Sequence, residues 1–375
     1  MKVGIVTIVD YKNYGNRLQN YALQETLKSL GTEVETIVNV PYNSQKNLPL
    51  LSRYWNRIME LGISGNVDRI KEKLKGEPKE KLLEKKKHAF REFTNQWINE
   101  TDYNINPLKL PENLGERYDY FVTGSDQVWN PNYRNGSAFD FLTFAPKNKR
   151  IAYAPSFGVS NIPDEHKENY AKWLSEMGAL SVREHAGATL IKKLTGKKSP
   201  VHVDPTVLLT KETWEKFARP SSVRPKEKYL LTYYLGKISS DKQQLINDLA
   251  NENNLEIVNL SNYDDSKYYD LRPDEFVDMI QNAEIFLTDS FHGAVFSILM
   301  ETPFVIFNRI SKVPSMNSRI DTLLDKFQLS NRKYGSLAKE ELFDIDFSHV
   351  PAILEKERNK SLTYLRQALS IKNTK

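Results

Sequence analysis

The first forty residues alternate between two kinds of hydrophobic pattern. Val3 to Val9 is a β-branched apolar run, Tyr21 to Leu30 spaces its apolar residues as a helix would and stops at Gly31, and Glu33 to Val40 is strand-like again. A strand, a helix and a second strand at these lengths predict a βαβ unit, hence parallel strands joined by a right-handed crossover. Three further strand-like pieces follow, Tyr118 to Thr123, Arg150 to Ala154 and Ala179 to Arg183, each running into a polar loop. The piece ARPSSVRPKEK at 218–228 has no periodicity and reads as a linker. Beyond it the rhythm restarts, with strands at Tyr229 to Leu235, Glu256 to Leu260, Ile285 to Thr288 and Phe304 to Phe307. Helices are expected near 240–253, 273–282 and 293–300, and a last one near 351–370.

The predicted organisation is therefore α/β with two successive domains: an N-terminal domain over 1–217, the linker at 218–228 and a C-terminal domain over 229–348. The closing segment, 349–375, is expected to pack its helix back on the first domain. A length of 375 residues agrees with two cores of ordinary size. Residues 67–92 are dense in charge of both signs and read as an exposed helical pair broken near Gly76 and Pro78; the competing reading rests their lysines on anionic lipid headgroups.

Composition narrows the chemistry. With 39% hydrophobic and 27% charged residues the chain can bury cores. A net charge of +5 is too diffuse for a nucleic-acid binder and suits an anionic small molecule. The absence of cysteine excludes disulfides, thiolate nucleophiles and Cys-ligated metals. The short apolar N-terminal run is expected to be a buried strand and not a signal peptide or membrane span, which gives a cytoplasmic protein with at most peripheral membrane contact.

In parallel α/β sheets the functional groups lie beyond the carboxyl ends of the strands. The loops there are Asn13-Tyr14-Gly15-Asn16-Arg17-Leu18-Gln19, Gly124-Ser125-Asp126-Gln127-Val128-Trp129-Asn130 and Thr288-Asp289-Ser290-Phe291-His292-Gly293. The first is an Asn-rich turn that either caps a helix or offers amides to a sugar, and it is no dinucleotide fingerprint. The second holds more polar and aromatic groups than a capping turn needs, and Trp129 is expected to stack on a sugar face while Asp126 binds hydroxyls. Arg183 either pairs with Glu184 or points into the crevice, where its planar fork would suit a carboxylate or phosphate. His202 and Asp204 alternate on one strand face with no third ligand nearby, so no metal is expected. His292, between Ser290 and Gly293 at a helix start, reads as chemistry more than as core, and Arg309, Lys312 and Arg319 follow in a loop that could close on the same anion.

Taken together these stretches, with Ser181-Val182-Arg183-Glu184 and Asp204-Pro205-Thr206, resemble the polysaccharide pyruvyl transferase family in order and spacing across nearly the whole chain. The resemblance implies two Rossmann-like domains facing across a cleft, as in GT-B glycosyltransferases, and transfer of pyruvate from phosphoenolpyruvate (PEP) to a sugar as a cyclic ketal. It implies His292, Asp126 and Arg183 as catalytic, and no cofactor beyond PEP as co-substrate. It puts the donor on Arg183, Ser290, His292, Gly293, Arg309 and Arg319, and the acceptor on Asn13, Asn16, Gln19, Ser125, Asp126, Gln127 and Trp129. The implied partners are PEP and a sugar acceptor, lipid- or nucleotide-linked, handled at the inner face of the membrane. Many members carry an arginine two positions before the histidine; here that position is Ser290, so Arg309 or Arg319 would supply the charge. The alternative reading is a GT-B-type glycosyltransferase using a nucleotide sugar.

Overall fold

The computed structural model describes residues 1–39, 76–106, 110–134, 136–262, 266–309 and 317–372. Two four-stranded, all-parallel sheets organise it. In the first, β1 (Lys2–Val6), β2 (Glu33–Thr36), β3 (Tyr120–Thr123) and β4 (Arg150–Ala152) lie in the order β2-β1-β3-β4. In the second, β5 (Tyr229–Tyr233), β6 (Glu256–Asn259), β7 (Ile285–Thr288) and β8 (Phe304–Ile306) lie in the order β6-β5-β7-β8. The two orders are the same permutation, so each sheet reverses direction between its two central strands, and ligands bind at such reversals in open α/β sheets.

The helices that matter for the site are α1 (Tyr14–Ser29), α2 (Gly76–Trp97), α3 (Asp164–Ser175), α4 (His185–Thr195), α5 (Ser240–Glu252), α6 (Pro273–Gln281), α7 (Phe291–Met300), α8 (Ser318–Lys326) and α9 (Val350–Ala368). The β-branched runs become strands because parallel strands covered on both faces select such residues. In β5 and β7 every residue is buried. α1 begins where the Asn13 side chain accepts the Asn16 N–H as its N-cap.

The lobes meet through aromatic packing. Tyr14 of α1 stacks on Phe276 of α6 with ring centroids 4.4 Å apart, and Trp214 meets Phe296 of α7 edge-on at 4.9 Å. One apolar cluster thus runs from the first sheet's helices into the second lobe. From the 218–228 segment, the Ser221 N–H donates to Asp278 at 3.0 Å, which ties it to α6. α9 returns to the first lobe: Tyr364 donates to the Ala152 carbonyl at 2.8 Å and Arg358 to the Val207 carbonyl at 2.7 Å.

Two expectations change. Ala179 to Arg183 forms no strand of its own and makes only single bridges, Ile151 to Ala179 and Val182 to Val201. The break expected near Pro78 is absent, since α2 is continuous over Gly76–Trp97. Residues 67–75 and Lys312 lie outside the described residues.

Candidate functional site

The carboxyl ends of the two sheets face each other across a cleft of about 370 Å³. Ile8, Asp10 and Asn13 enter it after β1, Asp126 and Gln127 after β3, and Leu235 after β5. Ser290, Phe291 and His292 enter after β7, Arg309 after β8, and Arg319 from the first turn of α8. The strands on either side of each reversal therefore supply most of the walls, which explains how residues as far apart in the chain as Ile8 and Arg319 converge. Among the described residues no three His, Asp or Glu side chains gather to hold a metal ion.

His292 sits in the first turn of α7, which Ser290 caps by accepting the Gly293 N–H at 3.2 Å. Its Nε2 lies 3.5 Å from Asp204 Oδ2, an ion-pair distance without an aligned hydrogen bond. The same oxygen accepts from Arg183 Nη1 at 2.5 Å and from the Ser125 hydroxyl at 2.9 Å. Asp204 is fully buried. Burial alone would raise its carboxyl, but the charges of His292 and Arg183 and the Thr206 backbone N–H outweigh it and hold the group well below the usual carboxylate range. The imidazole therefore faces a permanent negative charge.

Across the cleft Asp126 adopts a left-handed backbone with φ 51°, which L residues other than Asn and Asp seldom take. One of its carboxylate oxygens accepts from the Asn16 amide at 3.0 Å and the other from the Gln127 N–H at 2.8 Å. Burial pushes this carboxyl up as well, yet Arg183, His292, the Asn16 amide and Arg319 together bring it below its ordinary value. Asp10 differs: burial raises it, only partly countered by the Lys12 N–H.

The cleft's cations are short of partners. The Arg319 guanidinium, 5% exposed, lies 5.6 Å from the Phe291 ring, and its buried Nε has no acceptor. Burial, with the like charge of Arg183, lowers its pKa to about 10. Arg309 is better matched: it donates to the Asp289 carbonyl at 3.2 Å, and its Nε pairs with the Asp289 carboxylate at 3.5 Å, an ion pair without an aligned hydrogen bond. Buried guanidinium N–H groups left unmatched are costly, and an anionic ligand would satisfy them.

Of the anticipated residues, Asn13, Asn16, Asp126, Gln127, Ser290, His292, Arg309 and Arg319 line the cleft, whereas Gln19, Ser125, Trp129, Arg183 and Gly293 do not. Trp129 does not face a sugar. It is wholly buried, stacked on Phe141 at 5.0 Å, with its indole N–H on the Asp140 carbonyl, because the loop after β3 folds inward over the first lobe's core. Gln19 and Ser125 are likewise interior. The Gln19 amide joins Thr7 to the Ser125 N–H, and the Ser125 hydroxyl is held between Ala154 and Asp204. Arg183 pairs neither with Glu184 nor with the cleft but with Asp204, and it covers the Phe291 ring at 4.4 Å, away from the lining. Glu184 instead accepts the N–H groups of Phe157 and Gly158. Gly293 gives room to β7, not to a ligand: a Cβ there would meet Phe286 and Thr288 at 3.0 Å.

Sequence reasoning missed Asp10, Tyr133, Leu235 and Phe291 in the lining and Asp204 behind His292. Asp10 and Leu235 stand just past strand ends, so the carboxyl-end rule could have found them. Asp204 gave no such signal, since its partner His292 is brought to it only by lobe packing.

A model of polysaccharide pyruvyl transferases matches residues 13–311. The chain belongs to the polysaccharide pyruvyl transferase family. It is thus an enzyme of a transferase class that modifies polysaccharides, and His292, Asp126 and Arg319 all fall near or within the matched span, Arg319 just beyond it. No curated protein sequence matches. Among solved structures, the UDP-GlcNAc 2-epimerase of Methanocaldococcus jannaschii aligns over 99% of this chain and 100% of its own, with 14% identity and a TM-score of 0.50. MnaA of S. aureus aligns over 100% of this chain and 98% of its own, with 11% identity and a TM-score of 0.51. At such identity the likeness concerns the fold, which this pyruvyl transferase shares: two Rossmann-like lobes across a cleft, of the GT-B type. Among the described residues no helix is long and apolar enough to cross a membrane.

Proposed function

We propose that the enzyme transfers pyruvate from PEP to two hydroxyls of one sugar in a polysaccharide precursor, forming a cyclic ketal. The observation that carries this reading is the buried guanidinium of Arg319, whose Nε lacks an acceptor beside His292, with the part-buried Arg309 on the same wall. PEP brings a phosphate and a carboxylate, and each charge-assisted hydrogen bond to them contributes roughly 1.5–3 kcal/mol. Ser290 leaves space where a bulkier residue would stand, and its hydroxyl caps α7.

In the reaction His292 gives a proton to the vinyl CH₂ of PEP, which becomes a methyl group, and the adjacent carbon turns cationic. A sugar hydroxyl attacks that carbon; the C–O bond to phosphate then breaks, and the second hydroxyl closes the ring. One hydroxyl proton restores His292 and the other leaves with inorganic phosphate, so the net change is PEP plus diol to ketal plus phosphate. Asp204, 3.5 Å from Nε2, sets a carboxylate behind the ring that gives up the proton. Asp126, held ionised among Arg183, His292 and Arg319, orients the acceptor hydroxyl and relays its proton to the departing phosphate, so that it ends the cycle ionised.

Thermal stabilisation by PEP and by a panel of nucleotide sugars, with phosphate release followed on candidate acceptors, tests the reading. PEP should stabilise the wild-type enzyme, by about 2.7 kcal/mol at a hundred times its dissociation constant, and should fail with Arg319→Met. Stabilisation by a nucleotide sugar and none by PEP would replace this reading with glycosyl transfer.

A further inference from the structure

A second cavity, of about 610 Å³, adjoins the His292 cleft and shares only Leu235 with it. Lys86 of α2 reaches into it from the first lobe, while Tyr234, Ser261 and Tyr269 line it from the second. Lys86 is 5% exposed, and its ammonium stands 4.5 Å from the ring centroids of both Tyr14 and Tyr269 and 5.8 Å from that of Phe90. Cation–π contacts partly satisfy it. Yet among the described residues it makes no hydrogen bond or ion pair, and burial holds it down to about 8 against the distant pull of Asp10 and Asp270. A buried ammonium with three unmatched N–H donors at the wall of an open cavity is an anion site lacking its anion. The rest of the wall is mixed: Leu83, Ile238 and Leu260 stand beside the tyrosines, while Lys12 and Asn259 add polar groups.

We propose that this cavity is a second ligand site, separate from the His292 cleft, which takes a phosphoryl group against Lys86 and holds an attached apolar or planar body against the tyrosine-lined walls. Such a body comes with either a nucleoside phosphate or an isoprenyl phosphate, whose shared feature is the phosphate ester. The site does not depend on PEP being the donor.

Calorimetric titration of the full chain with inorganic pyrophosphate, uridine monophosphate and a short isoprenyl phosphate tests it. One of the two esters should bind more tightly than pyrophosphate, and whichever ester does so names the source. Lys86→Met should weaken that binding at least tenfold and leave PEP binding in the other cleft unchanged, whereas Arg319→Met should do the reverse. Absence of binding by both esters, equal binding by wild-type and Lys86→Met, or pyrophosphate binding as tightly as the better ester would overturn the proposal. Should Lys86→Met not fold, the wild-type protein still decides: a saturating ester should protect Lys86 from reductive methylation, and labelling at an unchanged rate refutes the site.

Discussion

A Cβ added to Gly15 would lie 2.0 Å from Nδ1 of His292. The first helix of one lobe and the key imidazole of the other are therefore in direct contact, and only glycine allows it. Gly15→Ala should push the imidazole off Asp204. Overpacking of this kind costs typically about 1–3 kcal/mol, so the variant should melt lower. The sharper effect is on turnover, expected to fall at least about tenfold while KM for PEP moves less, as for loss of an interaction made in the transition state. Normal turnover in a steady-state assay of phosphate release would mean that the ring position is irrelevant.

His292→Gln should reduce kcat by roughly 10²–10⁴, the range for a lost general acid. Asp204→Asn separates positioning from chemistry. Without the carboxylate the imidazole loses the charged partner behind it, so kcat should fall while KM for PEP moves less. Arg183 also loses its ion pair, so stability should fall as well. A lower melting temperature with an unchanged kcat would leave Asp204 a purely structural role.

Trp129 and Tyr133 should exchange the roles that their side chains suggest on paper. Trp129→Ala removes a buried ring and should cost about 3–5 kcal/mol of stability, read by denaturant unfolding. Tyr133, 46% exposed at the cleft, should tolerate Ala with little change in stability and a raised KM for the sugar acceptor.

Lys86 offers a pH test independent of any ligand. Its folded-state value of about 8 lies below the ordinary 10.5, so between those values the unfolded chain binds the extra proton. Relative to Lys86→Met, which has no proton to bind there, the wild-type protein should gain stability as pH rises through that window, by up to about 3 kcal/mol. The tyrosines and carboxylates facing the ammonium, Tyr14, Tyr269, Asp10 and Asp270, are common to both proteins and cancel in the difference. Parallel melting curves from pH 7 to 10.5 would exclude the shift.

The sheets were legible because their strands are buried on both faces and so show as apolar runs, β5 and β7 most plainly. The first helix was legible only from Tyr21, since its opening turns from Tyr14 lay hidden in the Asn-rich stretch, and the helix expected near 293 starts at Phe291; the carboxyl-end rule located the cleft. Trp129 shows where such reading stops. Its neighbours are polar, but the direction of its side chain depends on how the loop crosses Phe141, a contact within one lobe that no local pattern encodes. Arg183 shows the same from the other side. It stands beside Glu184 in the chain, yet its partner is Asp204, brought near by the packing of distant segments.

The returning helix α9 has a consequence for dissection of the molecule. Ser361 meets His202 at 3.0 Å, two residues before Asp204, and Lys326 of the second lobe pairs with Glu357 of the same helix. Severing the chain at 218–228 would strip the first half of a strap that holds the segment carrying Asp204. Neither half should survive as a transplantable module, and shortening the tail should disable chemistry that lies well away from it.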